Sequence, residues 1–332
     1  MKKVKIAIAG CTGSVGRTFI RVLEERRFPV SEAVMFASAK SAGGEIEFCG
    51  QRIVVKELTE AAVRDNPVDI VLMSAGGSVS KVFAPIFAST GAVVIDNSSC
   101  WRMDENVPLV VPEVNPEDAF NHKGIIANPN CSTIQAVVAL KPLDDAFKIK
   151  RIVYSTYQAV SGAGVAGTED LLGGQNGLPP QKFPRPIYNN VIPQIDVFLE
   201  NGYTKEEEKM IAETKKILHN KDLKVTATTA RVPVFNGHSE SVNVEFFHPA
   251  PVKKIKEILS KAPGVILTDE HDFSSYPTAL DCDGADEVFV GRVRQDFSVD
   301  SGINFWVVAD NVRKGAATNA VQIAELLVRP NV

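Results

Sequence analysis

Apolar residues follow two different rhythms along this chain. Up to about residue 130 they come as short unbroken runs: VKIAIAG at 4–10, AVMFAS at 33–38, VDIVLMSAGG at 68–77 and GAVVIDNSS at 91–99. Runs of that length without alternation suit strands covered on both faces. Between them the apolar positions take helical spacing. Val15, Phe19, Val22 and Leu23 follow the first run, and further helix candidates lie near 58–65 and 78–90. Strand and helix in alternation predict an α/β domain with a doubly wound parallel sheet. Beyond residue 130, KIKRIVYSTYQAV, LKVTATTARVPVF and HSESVNVEFFH alternate apolar with polar positions. That pattern predicts an α+β domain on a largely antiparallel sheet with one packed face. A Gly- and Pro-rich stretch at 161–186 and a charged segment at 204–221 separate these strands. The tail GAATNAVQIAELLV has helical spacing and is expected to pack back on the first domain, so the expected domains are 1–129 with 312–332, and 130–311.

Composition removes several function classes. The chain has 332 residues, 45% hydrophobic and 23% charged, which supports a large core and excludes a disordered, collagen-like or coiled-coil protein. Thirty-six basic against 40 acidic residues give a net charge of −4, and no long basic run offers a surface to nucleic acid. No apolar stretch reaches the length of a membrane span, and the run before Gly10 is too short for a signal peptide. The five cysteines, at 11, 49, 100, 131 and 282, are scattered and contain no C-x-x-C pair. A disulfide framework and a structural zinc site are both unsupported, no metal is expected, and the setting expected is a reducing cytoplasm.

Chemistry concentrates in a few segments. GCTGSVG places Gly10, Gly13 and Gly16 between the first strand and its helix, a variant of the dinucleotide fingerprint. Such glycines let the backbone approach a pyrophosphate at a helix N-terminus, although a tight turn alone would also use them. After the second strand, where NAD enzymes carry an acid for the ribose 2′-hydroxyl, the chain reads Ser38, Ala39, Lys40, Ser41, with no acid before Glu45. A cation and hydroxyls suit the 2′-phosphate of NADP; the plain alternative is a polar turn.

Cys131, in NPNCST, lies where an extended segment gives way to an apolar helix, so the helix dipole would favour its thiolate. A nucleophile and an inert buried thiol are both open there, while the other four cysteines read as structural. Asn236–Gly237 in ARVPVFNGHSESV signals a two-residue hairpin, which would put Arg231 and His238 on one face. Pro233 argues for an edge strand or a looser turn, and a solvated arginine and a satisfied histidine are the alternatives. Thr204 and Glu207 have capping-box spacing, and Glu206 and Lys209 read by themselves as a solvated ion pair. Arg102 follows the fourth strand, at the sheet end where ligands of such folds bind.

Taken together, GCTGSVG, SAKSAG, DNSSCWR, NPNCST, YQAVSGAG, EEEKMIAETKKI and RVPVFNGHSE resemble the aspartate-β-semialdehyde dehydrogenases over most of the chain. Lys40 stands where that family commonly has arginine, and Cys100-Trp101 replaces its commoner Ala-Phe. The resemblance implies a Rossmann-like NADP-binding domain and a catalytic and dimerisation domain, assembled as a homodimer or a dimer of dimers. It implies Cys131 as the nucleophile forming an acyl-thioester, His238 as acid–base catalyst and Gln158 positioning the acyl group. Arg231 would bind the substrate α-carboxylate, Glu206 its α-amino group, and Arg102 and Lys209 the phosphate, with Asn130 in the same site. The coenzyme would meet Gly10, Thr12, Gly13, Ser14, Val15, Gly16, Ser38, Lys40 and Ser41, with Ser161, Gly162 and Asn311 at its nicotinamide end.

The implied reaction is reductive dephosphorylation of L-aspartyl 4-phosphate to aspartate 4-semialdehyde, a step towards lysine, threonine and methionine. A reductase of N-acetylglutamyl phosphate is the nearest rival, but its acylated amine would have no use for Glu206. A non-catalytic NADP-binding sensor would need the glycine loop without Cys131, Gln158, Arg231 and His238 together.

Overall fold

The computed structural model describes residues 3–269 and 274–328, and these fall into two compact units, the first up to Pro129 and again from Ala316, the second from Asn130 to Gly315. In the first unit the unbroken apolar runs become central strands. β1 (Val4–Ala9), α1 (Ser14–Glu25) and β2 (Val30–Ala37) open it, followed by a small hairpin of β3 (Glu45–Phe48) and β4 (Gln51–Val54). Then come β5 (Lys56–Glu57), α2 (Glu60–Arg64), β6 (Ile70–Met73), α3 (Gly77–Ser89), β7 (Val93–Asp96) and β8 (Ile125–Ala127). The sheet runs β5-β2-β1-β6-β7-β8 with every pair parallel, as the alternation predicted. Its direction of growth reverses between β1 and β6, the crevice where doubly wound sheets take ligands.

α1 buries Phe19, Ile20, Val22 and Leu23 in a core shared with the C-terminal helix Thr318–Val328, which contributes Ala320, Val321, Ile323 and Ala324. The tail therefore returns to the first unit.

The second unit begins with α4 (Cys131–Phe147), an almost wholly buried helix, and β9 (Ile149–Gln158). It continues through α5 (Val165–Gln175), α6 (Lys205–Ile217), β10 (Lys224–Arg231), β11 (His238–Phe246), α7 (Val252–Leu259) and β12 (Val265–Leu267). α8 (Ala279–Cys282), β13 (Val288–Gln295) and β14 (Gly302–Ala309) complete it, and the C-terminal helix above is α9. The sheet order is β10-β9-β11-β14-β13-β12. It is mixed and mostly antiparallel, with parallel pairs only where β10 meets β9 and β12 meets β13. Along β9, Ile152, Tyr154, Thr156 and Gln158 are buried while Tyr157 on the opposite face is exposed. Period-two alternation thus sends one face to the helices and leaves Tyr157 and Trp306, ring centroids 5.5 Å apart, on the other.

Candidate active site

The nucleophile candidate sits where its sequence placed it. Asn130 is the N-cap of α4, its side chain accepting from the N–H groups of Ser132 (3.0 Å) and Thr133 (3.2 Å), and Cys131 is the first helical residue, half-buried. A β-carbon at Gly315 would lie 2.9 Å from the Cys131 β-carbon, so only glycine leaves that thiol room. The other four thiols are all pushed up, chiefly by burial, Cys11 to about 11 and Cys282 to about 12. That makes them poor nucleophiles near neutral pH.

Arg231 and His238 do converge, but not through the expected hairpin. β9 lies between their strands: Arg231 pairs in parallel with Gln158, and β11 runs antiparallel on the other side, with Ser239 opposite Tyr157. The loop between them crosses the end of β9, where the carbonyls of Val234 and Phe235 accept from Val160 (2.8 Å) and Ser161 (3.1 Å). Gly237, at φ +88°, is needed for close approach rather than for a two-residue turn: a β-carbon there would meet the Ala279 carbonyl at 2.9 Å. Ala159 then ties the two side chains together. Its N–H donates to His238 Nδ1 (3.0 Å) and its carbonyl accepts from Arg231 Nη1 (2.6 Å). Both reach Gly162, where a β-carbon would stand 3.0 Å from Arg231 Nη1 and 3.2 Å from His238 Nε2.

His238 is wholly buried, and burial together with the nearby Arg231 charge holds it well below the usual imidazole range. The ring is therefore neutral at neutral pH. Because Nδ1 accepts a hydrogen bond, its proton resides on Nε2, which has no protein partner among the described residues. Arg231 is also buried, which lowers its pKa from the usual value against the opposing pull of Glu206 and Cys131. Ala159 is the one protein acceptor of its side chain among the described residues, so the rest of the guanidinium fork is open to an anion.

Glu206 is the hub of the remaining groups. Its Oε1 accepts from Asn130 Nδ2 (2.8 Å) and Gln158 Nε2 (3.2 Å), and its Oε2 accepts from Lys209 Nζ (3.1 Å). Burial opposes its charge, but Lys209 and the two amides outweigh burial and hold the carboxyl below its ordinary range. The pair is not the solvated one that spacing alone suggested. Glu206 is buried under α4 and β9, while Lys209 also reaches Asp196 (2.9 Å). The capping box that starts α6 is present as expected, Thr204 and Glu207 each accepting from the other's N–H. With two lone-pair sites per oxygen, Oε2 keeps one vacant acceptor direction.

Several contributors escaped the sequence reading. Glu213 accepts from the Asn130 N–H (2.6 Å). It lies seven residues after Glu206, on the same face of α6, a helical spacing that could have exposed it. Thr156 donates to Gln158 Oε1 (3.1 Å) and Gln135 Nε2 to the His238 carbonyl (3.2 Å). At the nicotinamide-end candidates, Asn311 Nδ2 donates to Ser161 Oγ (2.9 Å) and Asn311 Oδ1 accepts from the Gly237 N–H (2.9 Å).

In the first unit, a β-carbon at Gly10 would lie 2.3 Å from the Ser74 carbonyl, and one at Gly16 2.1 Å from the Gly10 carbonyl. Those two glycines let the loops after β1 and β6 close on one another and on α1. A β-carbon at Gly13 would make only an ordinary contact, 3.5 Å from the Gly10 carbonyl, and Gly13 caps α1 without a side chain or any acid in the first turn. The Gly13 N–H donates to the Gly10 carbonyl (3.1 Å), which leaves the amides of Ser14 and Val15 for an anion, with Thr12 just before the cap. Ser38 and Lys40 are exposed past the end of β2, with Ser41 half-buried beside them. Arg102, buried, donates to the Asn128 carbonyl (2.9 Å), three residues before Cys131 in the sequence, and to the Asn97 carbonyl (3.0 Å).

A semialdehyde dehydrogenase NAD binding domain model matches residues 5–122, and a semialdehyde dehydrogenase dimerisation domain model matches 140–314. The aspartate-semialdehyde dehydrogenase of Aquifex aeolicus is 56% identical over 98% of both chains. The chain belongs to the aspartate-semialdehyde dehydrogenase family. Among solved members, aspartate semialdehyde dehydrogenase II of Vibrio cholerae superposes with a TM-score of 0.95 at 50% identity, covering all of both chains, and has also been solved complexed with ASA. The Candida albicans aspartate semialdehyde dehydrogenase, solved with NADP, matches at a TM-score of 0.77 and 28% identity over 98% of each chain. Neither the acetylglutamyl-phosphate reductase nor the sensor reading is favoured by relatives that carry the aspartate-semialdehyde dehydrogenase name.

Proposed function

We propose that the chain reduces L-aspartyl 4-phosphate to L-aspartate 4-semialdehyde and phosphate with NADPH, through a thioester on Cys131. One observation carries most weight: a cysteine at a helix N-terminus shares its unit with a buried guanidinium that has open donors and an ionised carboxylate that has one open acceptor. An amino acid's carboxylate and ammonium call for that pair. That a Vibrio cholerae relative has been solved complexed with ASA supports a small-molecule substrate of this kind.

Cys131 Sγ bonds to the acyl carbon, and the bond from that carbon to the phosphate oxygen breaks as phosphate leaves. Arg102 and Lys209 are the cations assigned to the phosphate, and Gln158, fixed by Thr156 and Glu206, orients the acyl group. When bound, the coenzyme supplies hydride to the acyl carbon. His238 donates from Nε2 to the oxygen that becomes negative, which fits its neutral tautomer better than taking a proton at Nε2 does. His238 keeps its proton in that hydrogen bond, so the hemithioacetal forms as its anion, and its collapse restores the carbonyl, breaks the C–S bond and returns the thiolate. Arg231 and Glu206 keep the substrate's other end fixed throughout.

The glycine loop on α1 fits a pyrophosphate, and Ser38, Lys40 and Ser41 favour the 2′-phosphate of NADP. Ser161, Gly162 and Asn311 stand at the His238 side of the site for the nicotinamide. A homodimer, alone or paired again, fits the dimerisation domain and the face carrying Tyr157 and Trp306, with a hollow of about 420 Å³. No helix among the described residues is long and apolar enough to cross a membrane; the cytoplasm is the compartment proposed.

NADPH formation from NADP, phosphate and aspartate semialdehyde tests the reaction. It is expected in the wild type and absent in Cys131→Ala, which should still bind NADPH; turnover by that variant would refute the covalent route. Lys40→Ala should raise the KM for NADP about tenfold, the worth of one charged hydrogen bond, and leave NAD turnover unchanged. Equal efficiency with both coenzymes in the wild type would remove the NADP preference.

A further inference from the structure

The segment between β9 and β10 contains more than the substrate-binding groups themselves. α5 carries Asp170, whose carboxylate accepts three successive backbone N–H groups, from Gln181 (2.7 Å), Lys182 (2.8 Å) and Phe183 (2.8 Å). Burial works against that charge, but the three N–H groups and Lys182 prevail and hold the carboxyl below its usual range. The strap so pinned lies on a helix face cleared for it. Gly167 and Gly174 are seven residues apart on α5, hence on one side of the helix. A β-carbon at Gly167 would lie 3.2 Å from Phe183 Cζ, and one at Gly174 2.9 Å from Tyr188 Cβ.

The strap ends on Arg231. The Phe183 ring, packed with Val160, Leu171, Ile187 and Ile192, has its centroid 5.7 Å from the Arg231 guanidinium carbon. Ile192 exchanges both backbone hydrogen bonds with Arg231, at 3.0 and 2.8 Å. A flat cation with one protein acceptor has few restraints on its plane. The guanidinium carbon lies over the Phe183 ring, and that cation–ring contact restrains the group without using any of its N–H donors, which stay available to a carboxylate.

We propose that Asp170 and Phe183 are positioning residues for Arg231, and that the pinned strap sets how tightly the substrate carboxylate is held. The proposal rests on Arg231 being the carboxylate site.

Steady-state kinetics of the phosphate-dependent oxidation of aspartate semialdehyde test it. Phe183→Leu should raise the KM for the aldehyde about fivefold, the worth of one cation–ring contact, while Phe183→Tyr retains the wild-type value. Asp170→Asn should raise the same KM, with kcat and the KM for phosphate within about twofold of wild type in both variants. The double variant should be no worse than the more impaired single variant, because both changes act through one ring. 3-Aminopropanal, which lacks the carboxylate, should show no such dependence. A general packing defect would depress kcat and affect both aldehydes alike, and that result overturns the proposal, as does an unchanged KM in Phe183→Leu. A wild type unable to oxidise aspartate semialdehyde would overturn the functional reading and this inference together, whereas an active wild type with unchanged variants overturns the positioning role alone.

Discussion

Ala159 offers no side-chain chemistry, yet its N–H and C=O fix the tautomer of His238 and the direction of Arg231. Much of the site is arranged this way, with the reactive group supplied by one residue and its orientation by a neighbour that sequence motifs do not mark. Glu206 shows the consequence most clearly, since it satisfies Asn130, Gln158 and Lys209 at once. Glu206→Gln keeps one acceptor oxygen but turns an amide towards the Lys209 ammonium. A loss of about 1–3 kcal/mol is expected for disturbing a buried hydrogen-bonded group. The KM for aspartate semialdehyde should rise at least about tenfold, since one charge-assisted hydrogen bond is lost. Urea denaturation and steady-state kinetics check the two separately. An unchanged KM in a folded variant would remove Glu206 from the substrate site.

At the scale of elements, legibility depended on whether the signal was local. The four unbroken apolar runs became β1, β2, β6 and β7, and the NPNCST junction became the start of α4, because burial on both faces and capping are written in adjacent residues. Strand order is not local. Asn236–Gly237 carries a strong two-residue hairpin signal and forms no hairpin, because β9 occupies the place beside β11 and Gly237 serves contact with Ala279. Cys49–Gly50, which carries a weaker signal, does turn a two-residue hairpin between β3 and β4, both residues having positive φ. The Arg231–His238 meeting was thus anticipated for the wrong topological reason. Two strands flanking a third bring their ends to its terminus just as a hairpin brings them to its turn. Phe183 and Asp170 stayed hidden because their link to Arg231 runs through an irregular segment with no period to read.

For the molecule as a whole, the buried polar layer under the second sheet makes stability depend on pH, and Glu240 is the group to follow. It lies two residues from His238 on the same buried face of β11, wholly inaccessible, with neither carboxyl oxygen bonded to any described residue. Burial alone pushes its pKa well above the ordinary range, so the folded protein keeps its proton where the unfolded chain has lost it. Unfolding in that interval releases a proton, and this group's contribution to stability falls as pH rises, by about 1.4 kcal/mol per unit, from near 4.3 up to the folded pKa. Above that pKa the decline ceases. Glu240→Gln has no proton to lose and nearly the same shape, so it removes the titration while keeping the packing. The variant should therefore match the wild type near pH 4.5 and exceed it increasingly towards pH 7 in chemical denaturation. A stability difference that stays flat across that range would mean that Glu240 is ionised in the fold, with a cation or donor reaching it that this packing does not supply.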